Sequence, residues 1–352
     1  MDSLSEHLSE LAKPFSQSLF AIGIGLAVGA FFLVIVGHDP IFGFYYLFKG
    51  AFFSEIGLAS TLNYAIVLML TGITFGLGMR AGLFNIGAEG QLMAGALAAV
   101  TASTFSLPPG VHLLVGVIFA MMAGALWAIP VAVLKVKKGV HEVVSTIMLN
   151  WIAFYLCLYL VLGPFLNPAR SDISIKIRLN SRFPLLFGTL STAIFVAMLF
   201  TVIVYIIIWH TRLGCEIRAV GFDQECARYM GINPGRAMAI GFFVGGLAAG
   251  LAGGALIMGF PPDYAVYIDL SNIVNYGFAG IAVALIGRNN PLGTIFSAVF
   301  FGGLWSGKRL MQISAGIPVE IVNVVSGIIV ISIAIPELLI LIKKKIEGRS
   351  VR

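Results

Sequence analysis

The sequence predicts an all-α integral membrane protein with about ten membrane segments. Three observations carry that prediction. The 352 residues are 59% hydrophobic and only 11% charged, where soluble domains carry roughly 25% charged residues, and the mean hydropathy is +0.98. Apolar stretches of about 20 residues, the length a spanning helix needs, recur along the chain. Glycine is abundant, 41 residues against 14 prolines, as close-packed membrane helices require. The net charge of +6 therefore bears on orientation in the bilayer and not on nucleic-acid binding. Cys157, Cys215 and Cys226 form no CxxC pair, so neither a disulfide framework nor a metal site is expected.

Residues 1–17 carry Asp2, Glu6 and Glu10 where a secretory signal needs cations. Leu4, Leu8 and Leu11 suggest a short amphipathic helix there, on the cytoplasmic side. Spans are expected at Ser18–Gly37, Thr61–Met79, Ile86–Phe105, Val111–Leu134 and Val143–Gly163, then at Leu190–His210, Ala237–Phe260, Ile273–Gly287, Leu292–Gly307 and Val319–Ile342. The second, third and eighth are the least regular. The aromatic connection His38–Ser60 is expected to lie at the interface or re-enter. Residues 18–342 thus read as one transmembrane domain, followed by a basic tail, 343–352, that begins Lys343-Lys344-Lys345.

Most of the 22 lysines and arginines fall on one side when ten segments alternate from an inner N-terminus. By the positive-inside rule that side is the cytoplasm. It receives Lys135, Lys137, Lys138 and the loop 211–236, whereas the loop 164–189 falls outside.

The loop 211–236 organises the rest. It holds Arg212, Glu216, Arg218, Asp223, Glu225, Arg228 and Arg236 between two long apolar stretches. Gly214 opens it, and Gly231 with Pro234 closes it, as start and stop signals for one short helix. Ala219, Phe222, Cys226, Tyr229 and Met230 recur at helical spacing as an apolar face, with Arg218, Asp223, Gln224, Glu225 and Arg228 opposite. The pattern suits either a helix lying on the bilayer or one docked on a soluble partner. The following span carries Gly241, Gly245, Gly246, Gly250 and Gly254, a small-residue stripe that should pack tightly within the chain or across a dimer.

Polar residues near spans are candidates for a transport path. Asn85, Glu89 and Gln91 open the third span, where a carboxylate needs partners or water, and Gly87 and Gly90 allow a broken helix. Glu89 reads equally as a cap on a helix start. Asn150 beside Trp151 and Asn275 beside Tyr276 suit a ring-bearing polar solute, or hydrogen bonding between helices. Gly302 to Arg309 resembles a phosphate loop but lacks its Ser/Thr and ends a membrane helix. No catalytic constellation is present, so an enzyme is not expected.

Gly78–Ala99, Val140–Ala153, Thr211–Gly254 and Gly277–Gly293 together resemble the permease subunits of bacterial ABC importers for sugars, nucleosides and branched-chain amino acids. They are most similar to the longer permease of the nucleoside importers. The resemblance implies a type II importer fold (vitamin B12 importer-like), a paralogous permease as partner in a heterodimer, and cytoplasmic ATPase subunits that bind ATP and Mg. It also implies an external substrate-binding lipoprotein and no cofactor in this chain. The family's coupling helix falls on Gly214–Gly231, with Gly214, Glu216, Arg218, Ala219, Phe222, Arg228, Tyr229 and Gly231 toward the ATPase. Purine nucleosides are the expected substrate, with riboflavin or a simple sugar as alternatives. From another class, an ion-coupled secondary transporter would use Glu89 for protons.

Overall fold

The computed structural model describes Phe20, residues 22–325, 327–328 and 331. The expectations for segments 1–17 and 343–352, together with residues 18, 19 and 21 of the first span and 326, 329–330 and 332–342 of the tenth, lie outside the described residues. The helices are α1 (Ile22–Ile35), α2 (Pro40–Phe52), α3 (Glu55–Arg80), α4 (Ala88–Ser103), α5 (Val111–Lys138), α6 (Glu142–Leu162) and α7 (Ala193–His210). Then follow α8 (Arg212–Phe222), α9 (Gln224–Tyr229), α10 (Pro234–Gly259), α11 (Tyr276–Ile286) and α12 (Pro291–Ala315). Five of them are long and apolar enough to cross a membrane: α3, α5, α6, α7 and α10.

Two compact units divide the chain. One falls within Met1–Thr61 and Gly303–Arg352, the other is Leu62–Gly302, and the division runs through α3 and α12. In the first unit the connection 38–60 is largely helical. Asp39 caps α2 by accepting from the Ile41 and Phe42 N–H groups, with Pro40 at the first helical position. At 13 residues and 1.5 Å of rise per residue, α2 is about 20 Å long, too short to span.

The second unit is built around α10, which packs on α3, α4 and α5. Its glycines sort by neighbour. A Cβ at Gly241 would lie 3.2 Å from the Ala81 Cβ, and one at Gly245 would lie 3.2 Å from the Thr74 carbonyl, so both serve the α3 contact. The Thr74 hydroxyl donates to the Gly245 carbonyl at 2.8 Å, holding the backbones together. Gly246, Gly250 and Gly254 face α5: a Cβ at Gly246 would meet the Ala125 Cα at 2.6 Å, one at Gly254 the Ala120 Cβ at 2.6 Å, and one at Gly250 the Ala120 carbonyl. Gly253 sits on Leu92 and Ala96 of α4. The stripe is thus consumed inside the chain, on three helices at once.

Opposite the loop 211–236, the segment 164–189 is zipped to the segment after α10. Ser174 N donates to Val266 O at 2.7 Å, Ile177 N to Tyr264 O at 2.8 Å, and Ile268 N to Asp172 O at 3.1 Å. Arg170 bridges Asp172 at 2.9 Å and Asp263 at 2.6 Å. Asn63 of α3 holds the small β1–β2 hairpin (Leu185–Phe187, Leu190–Ser191) by donating to Thr189 O and accepting from Ser191 N.

Gly250→Ala is expected to destabilise the fold by about 1–3 kcal/mol, as overpacking of a close-packed core does, and Gly250→Leu to abolish folded yield and transport. Thermal unfolding of the detergent-purified chain and uptake by cells check this. Normal stability in Gly250→Ala would refute the backbone-contact reading.

Candidate functional site

Two buried helix starts meet in the second unit. α4 begins at Ala88 and α11 at Tyr276, both buried. A helix start leaves N–H groups without intrahelical partners, and in a membrane protein these need protein acceptors. Glu89, 4% exposed, supplies them for α11. Its carboxylate accepts from the backbone N–H of Asn275 and, at 2.6 Å, from that of Gly277. A negative charge at the start of α11 is where the helix dipole favours it, and Glu89 also lies in the first turn of its own helix. Gly277 is required by this closeness, since a Cβ there would stand 2.6 Å from the Glu89 carboxylate and Cα.

Asn150 of α6 serves the start of α4. Its Oδ1 accepts from Gly90 N at 2.9 Å and its Nδ2 donates to Ile86 O at 3.0 Å, so the side chain joins the first turn of α4 to the residues before it. Trp127 donates to Leu149 O at 3.3 Å and packs over Gly90. Asn85 Oδ1 accepts from Gly87 N at 2.9 Å, an Asx turn. Asn85 Nδ2 and Gln91 Oε1 are buried with no protein hydrogen-bond partner among the described residues.

Four of the five predicted path residues, Asn85, Glu89, Gln91 and Asn150, are therefore gathered around the α4 start. Asn275 joins through its backbone, held at φ 73°, while the residue itself is exposed. Gly277, Trp127 and Thr146, which lines Gly87, were not singled out by the sequence, because each matters through a neighbour distant along the chain.

The loop 211–236 departs from expectation. It contains two helices, not one. Thr211 caps α8 by accepting from Gly214 N at 3.2 Å, so Gly214 lies inside the helix, against the Ile207 and Ile208 carbonyls of α7. Asp223, extended at φ −158° and ψ 118°, ends α8 and caps α9 by accepting from Cys226 N at 2.8 Å. Gly231, at φ +78°, follows α9, but Pro234 opens α10 behind the Asn233 cap and does not close the loop. The expected apolar face is also corrected. Ile217, Val220 and Ala227 turn inward, whereas Phe222, Tyr229 and Met230 are 88%, 91% and 66% exposed. The Asp223 break rotates α9 out of register with α8, and Ala219 is half-buried between them.

Of the predicted coupling charges, Arg228 pairs with Glu225 at 3.0 Å, and Glu216 is taken by Arg212 at 3.1 Å. Arg218 instead points inward and stacks on Trp209, 4.6 Å from the ring centroid, with Arg80 at 5.2 Å from the same ring. Beside this stack, Gly221 rests on the turn after α3. A Cβ at Gly221 would strike the Arg80 carbonyl, and Gly82, at φ +72°, would place its own Cβ 3.2 Å from the Gly221 Cα. α8 therefore sits directly on the turn that leads through Asn85 to Glu89.

A family model described as the permease component of the branched-chain amino acid transport system matches residues 57–334. The chain belongs to this family. Three relatives fix the neighbourhood. The permease is 34% identical to the guanosine ABC transporter permease protein NupP of Bacillus subtilis, over 94% of each chain. It is 33% identical to the glucose ABC transporter permease protein TsgB13 of Haloferax volcanii, over 90% of this chain and 86% of that one. It is 28% identical to a second guanosine permease of Bacillus subtilis, NupQ, over 70% of this chain and 80% of that one.

Glu89→Gln is expected to lower the permease's stability by about 2 kcal/mol, the scale of a charge-assisted hydrogen bond, and to impair uptake while assembly survives. Asn150→Ala, which strands Gly90 N–H and Ile86 O, is expected to cost about 1–3 kcal/mol. Thermal unfolding and uptake measure both. Unchanged uptake in Glu89→Gln would leave the carboxylate a structural cap alone.

Proposed function

We propose that this chain is the longer permease subunit of an ATP-driven bacterial importer of purine nucleosides. The observation that carries the substrate is the similarity to NupP along 94% of both chains. The similarity to TsgB13, at almost the same identity, supports a simple sugar as the second reading. NupQ, matched over a smaller part of this chain, supports a shorter paralogous permease as the partner. The relatives favour the ATP-driven reading over the ion-coupled one. In this reading the chain crosses the inner membrane about ten times in a type II importer fold, with both termini and the loop 211–236 in the cytoplasm.

Partner ATPase subunits, which would hold ATP and Mg, dock on α8 and α9. Phe222, Tyr229 and Met230 are the anchors. Large exposed apolar groups clustered on a charged surface mark interaction sites, and these three project from an otherwise polar helix pair. Closure of the ATPases pushes α8 against Gly82. That displacement reaches Asn85 and Glu89 through the turn and reaches α10 through the chain itself. Rigid shifts of close-packed helices are an established switching mode. Asn85 Nδ2 and Gln91 Oε1, buried and unpartnered among the described residues, would offer hydrogen bonds to a passing solute once the α4 start is displaced. Outside, the zipped segments 164–189 and 261–275 form a firm platform for a substrate-binding lipoprotein.

Two substitutions separate docking from transmission. Phe222→Ser with Tyr229→Ser is expected to reduce co-purification of the ATPase at least about tenfold, since buried aromatic anchors carry 2 kcal/mol or more. Gly221→Val is expected to leave the ATPase bound but abolish uptake. Full ATPase capture by the double variant would exclude α8 and α9 as the docking site.

A further inference from the structure

On the face away from α8, a 240 Å³ cavity opens beside the Glu89 junction. Its walls include Tyr64 of α3, Phe260 at the end of α10, Tyr264 and Tyr267 of the following segment, and Tyr276 at the start of α11. Tyr64 and Tyr276 are stacked, with centroids 6.4 Å apart and planes at 28°. Phe260 meets Tyr64 edge-on at 6.5 Å. Asp263 supplies a carboxylate on the rim. Its Oδ1 accepts from Arg170 at 2.6 Å and its Oδ2 from the Tyr267 hydroxyl at 2.7 Å. A carboxylate has about four acceptor sites, so each oxygen keeps one. The Tyr267 hydrogen bond, and then Arg170, hold Asp263 below the usual carboxylate range, so it stays ionised at any physiological pH.

The backbone around the cavity is unusual. Tyr264 at φ 48°, Leu270 at φ 57° and Asn275 at φ 73° are non-glycine residues in the left-handed region, all within this one segment. Such strain persists only where surroundings enforce it, and it gathers at functional sites. The volume lies just below the roughly 300–1,000 Å³ of drug-sized pockets, which suits one small ring-bearing solute. Planar rings stack on planar bases, and an ionised carboxylate accepts from a vicinal diol.

We propose that this cavity is a transit site for a nucleoside, whose base stacks against Tyr64 and Tyr276 and whose ribose hydroxyls donate to Asp263. The proposal rests on the nucleoside reading above and adds that this permease itself contacts the base and the sugar. Tyr276 begins the helix that Glu89 holds, so movement of that junction moves the floor of the site.

The test is uptake by cells in which variant chains replace the native one, using labelled guanosine, 2′,3′-dideoxyguanosine and glucose, with membrane abundance of the chain and ATPase co-purification as assembly controls. Tyr64→Leu, which keeps an apolar side chain and removes the ring, is expected to lower guanosine uptake about tenfold, the scale of one base–aromatic stack. Tyr64→Phe is expected to retain uptake. Asp263→Asn is expected to lower the guanosine to dideoxyguanosine ratio about tenfold against wild type. Arg170→Ala, which opens the loop staple and leaves the carboxylate, is expected to change both solutes equally. Because each ratio is taken against wild type, any preference of a binding protein cancels. Guanosine uptake within twofold of wild type in Tyr64→Leu, or an unchanged ratio in Asp263→Asn, overturns the transit site. If Tyr64→Leu does not accumulate, the Asp263→Asn ratio decides alone. Wild-type cells that import glucose but neither nucleoside overturn the reading beneath it, a result distinct from either.

Discussion

Backbone N–H groups at buried helix starts have to be satisfied within the protein, and the second unit is arranged around that need. α4 and α11 both begin inside the protein, at buried residues. Hydrocarbon offers no acceptors, so each broken start would lose several kcal/mol per unmet group. One carboxylate, Glu89, meets α11 by bonding Asn275 N and Gly277 N, and one amide, Asn150, meets the bend before α4. The two solutions depend on each other. Glu89 sits one residue before Gly90, whose N–H is held by Asn150, so the amide fixes the direction in which the carboxylate points. Polar groups spent in this way are not idle surface awaiting a substrate. Any role in transport has to come from changing how well they are satisfied.

Close approach makes the arrangement possible. Glu89 reaches α11 only because Gly277 has no side chain, and α10 lies against α4 and α5 only because Gly246, Gly250 and Gly253 let carbonyls and Cα atoms touch. Without a hydrophobic drive between helices in lipid, such packing with backbone hydrogen bonds is what holds spans together. The Thr74 hydroxyl bonded to Gly245 O adds a fixed point on the third face. α10 can thus translate only with its neighbours, and a span that begins two residues after the α9 turn carries any movement of the loop into the core.

Much of this was readable in the chain. The apolar stretches gave the helices, the glycine stripe its packing role, and Glu89 and Asn150 stood out as polar groups in apolar surroundings. The misreadings have local causes. Counting apolar spacing from Ala219 to Met230 ran through Asp223, although Asp223 three residues before Cys226 is itself a capping signal. Asp39-Pro40 was a start signal of the same kind, hidden in an aromatic run. Other features were beyond any single sequence. Asn275 meets Glu89 across 186 residues, and a left-handed Asn or a glycine beside it looks like an ordinary turn. The inward stacking of Arg218 on Trp209 is likewise invisible in a loop whose charges read as solvated.

In the proposed coupling, that stack and the glycine contact beside it would let one surface helix load the Glu89 junction from two sides. Gly221 touches the Arg80 carbonyl and Gly82 with no side chain between them, so the contact has little compliance. Pressure on α8 would pass along Gly82 to Asn85 and the start of α4. The same Arg80 donates from Nε to Asn289 O at 3.1 Å and from Nη2 to Arg288 O at 3.2 Å, which ties the turn after α11 to the end of α3. Displacement there moves the far end of α11 while α4 carries Glu89 at the other. In the proposed coupling, a carboxylate held between these two helices would register their relative shift as lost or gained hydrogen bonds. Any side chain at position 221 would strike the Arg80 carbonyl, so it would lift α8 off the turn and uncouple the two helix starts from it.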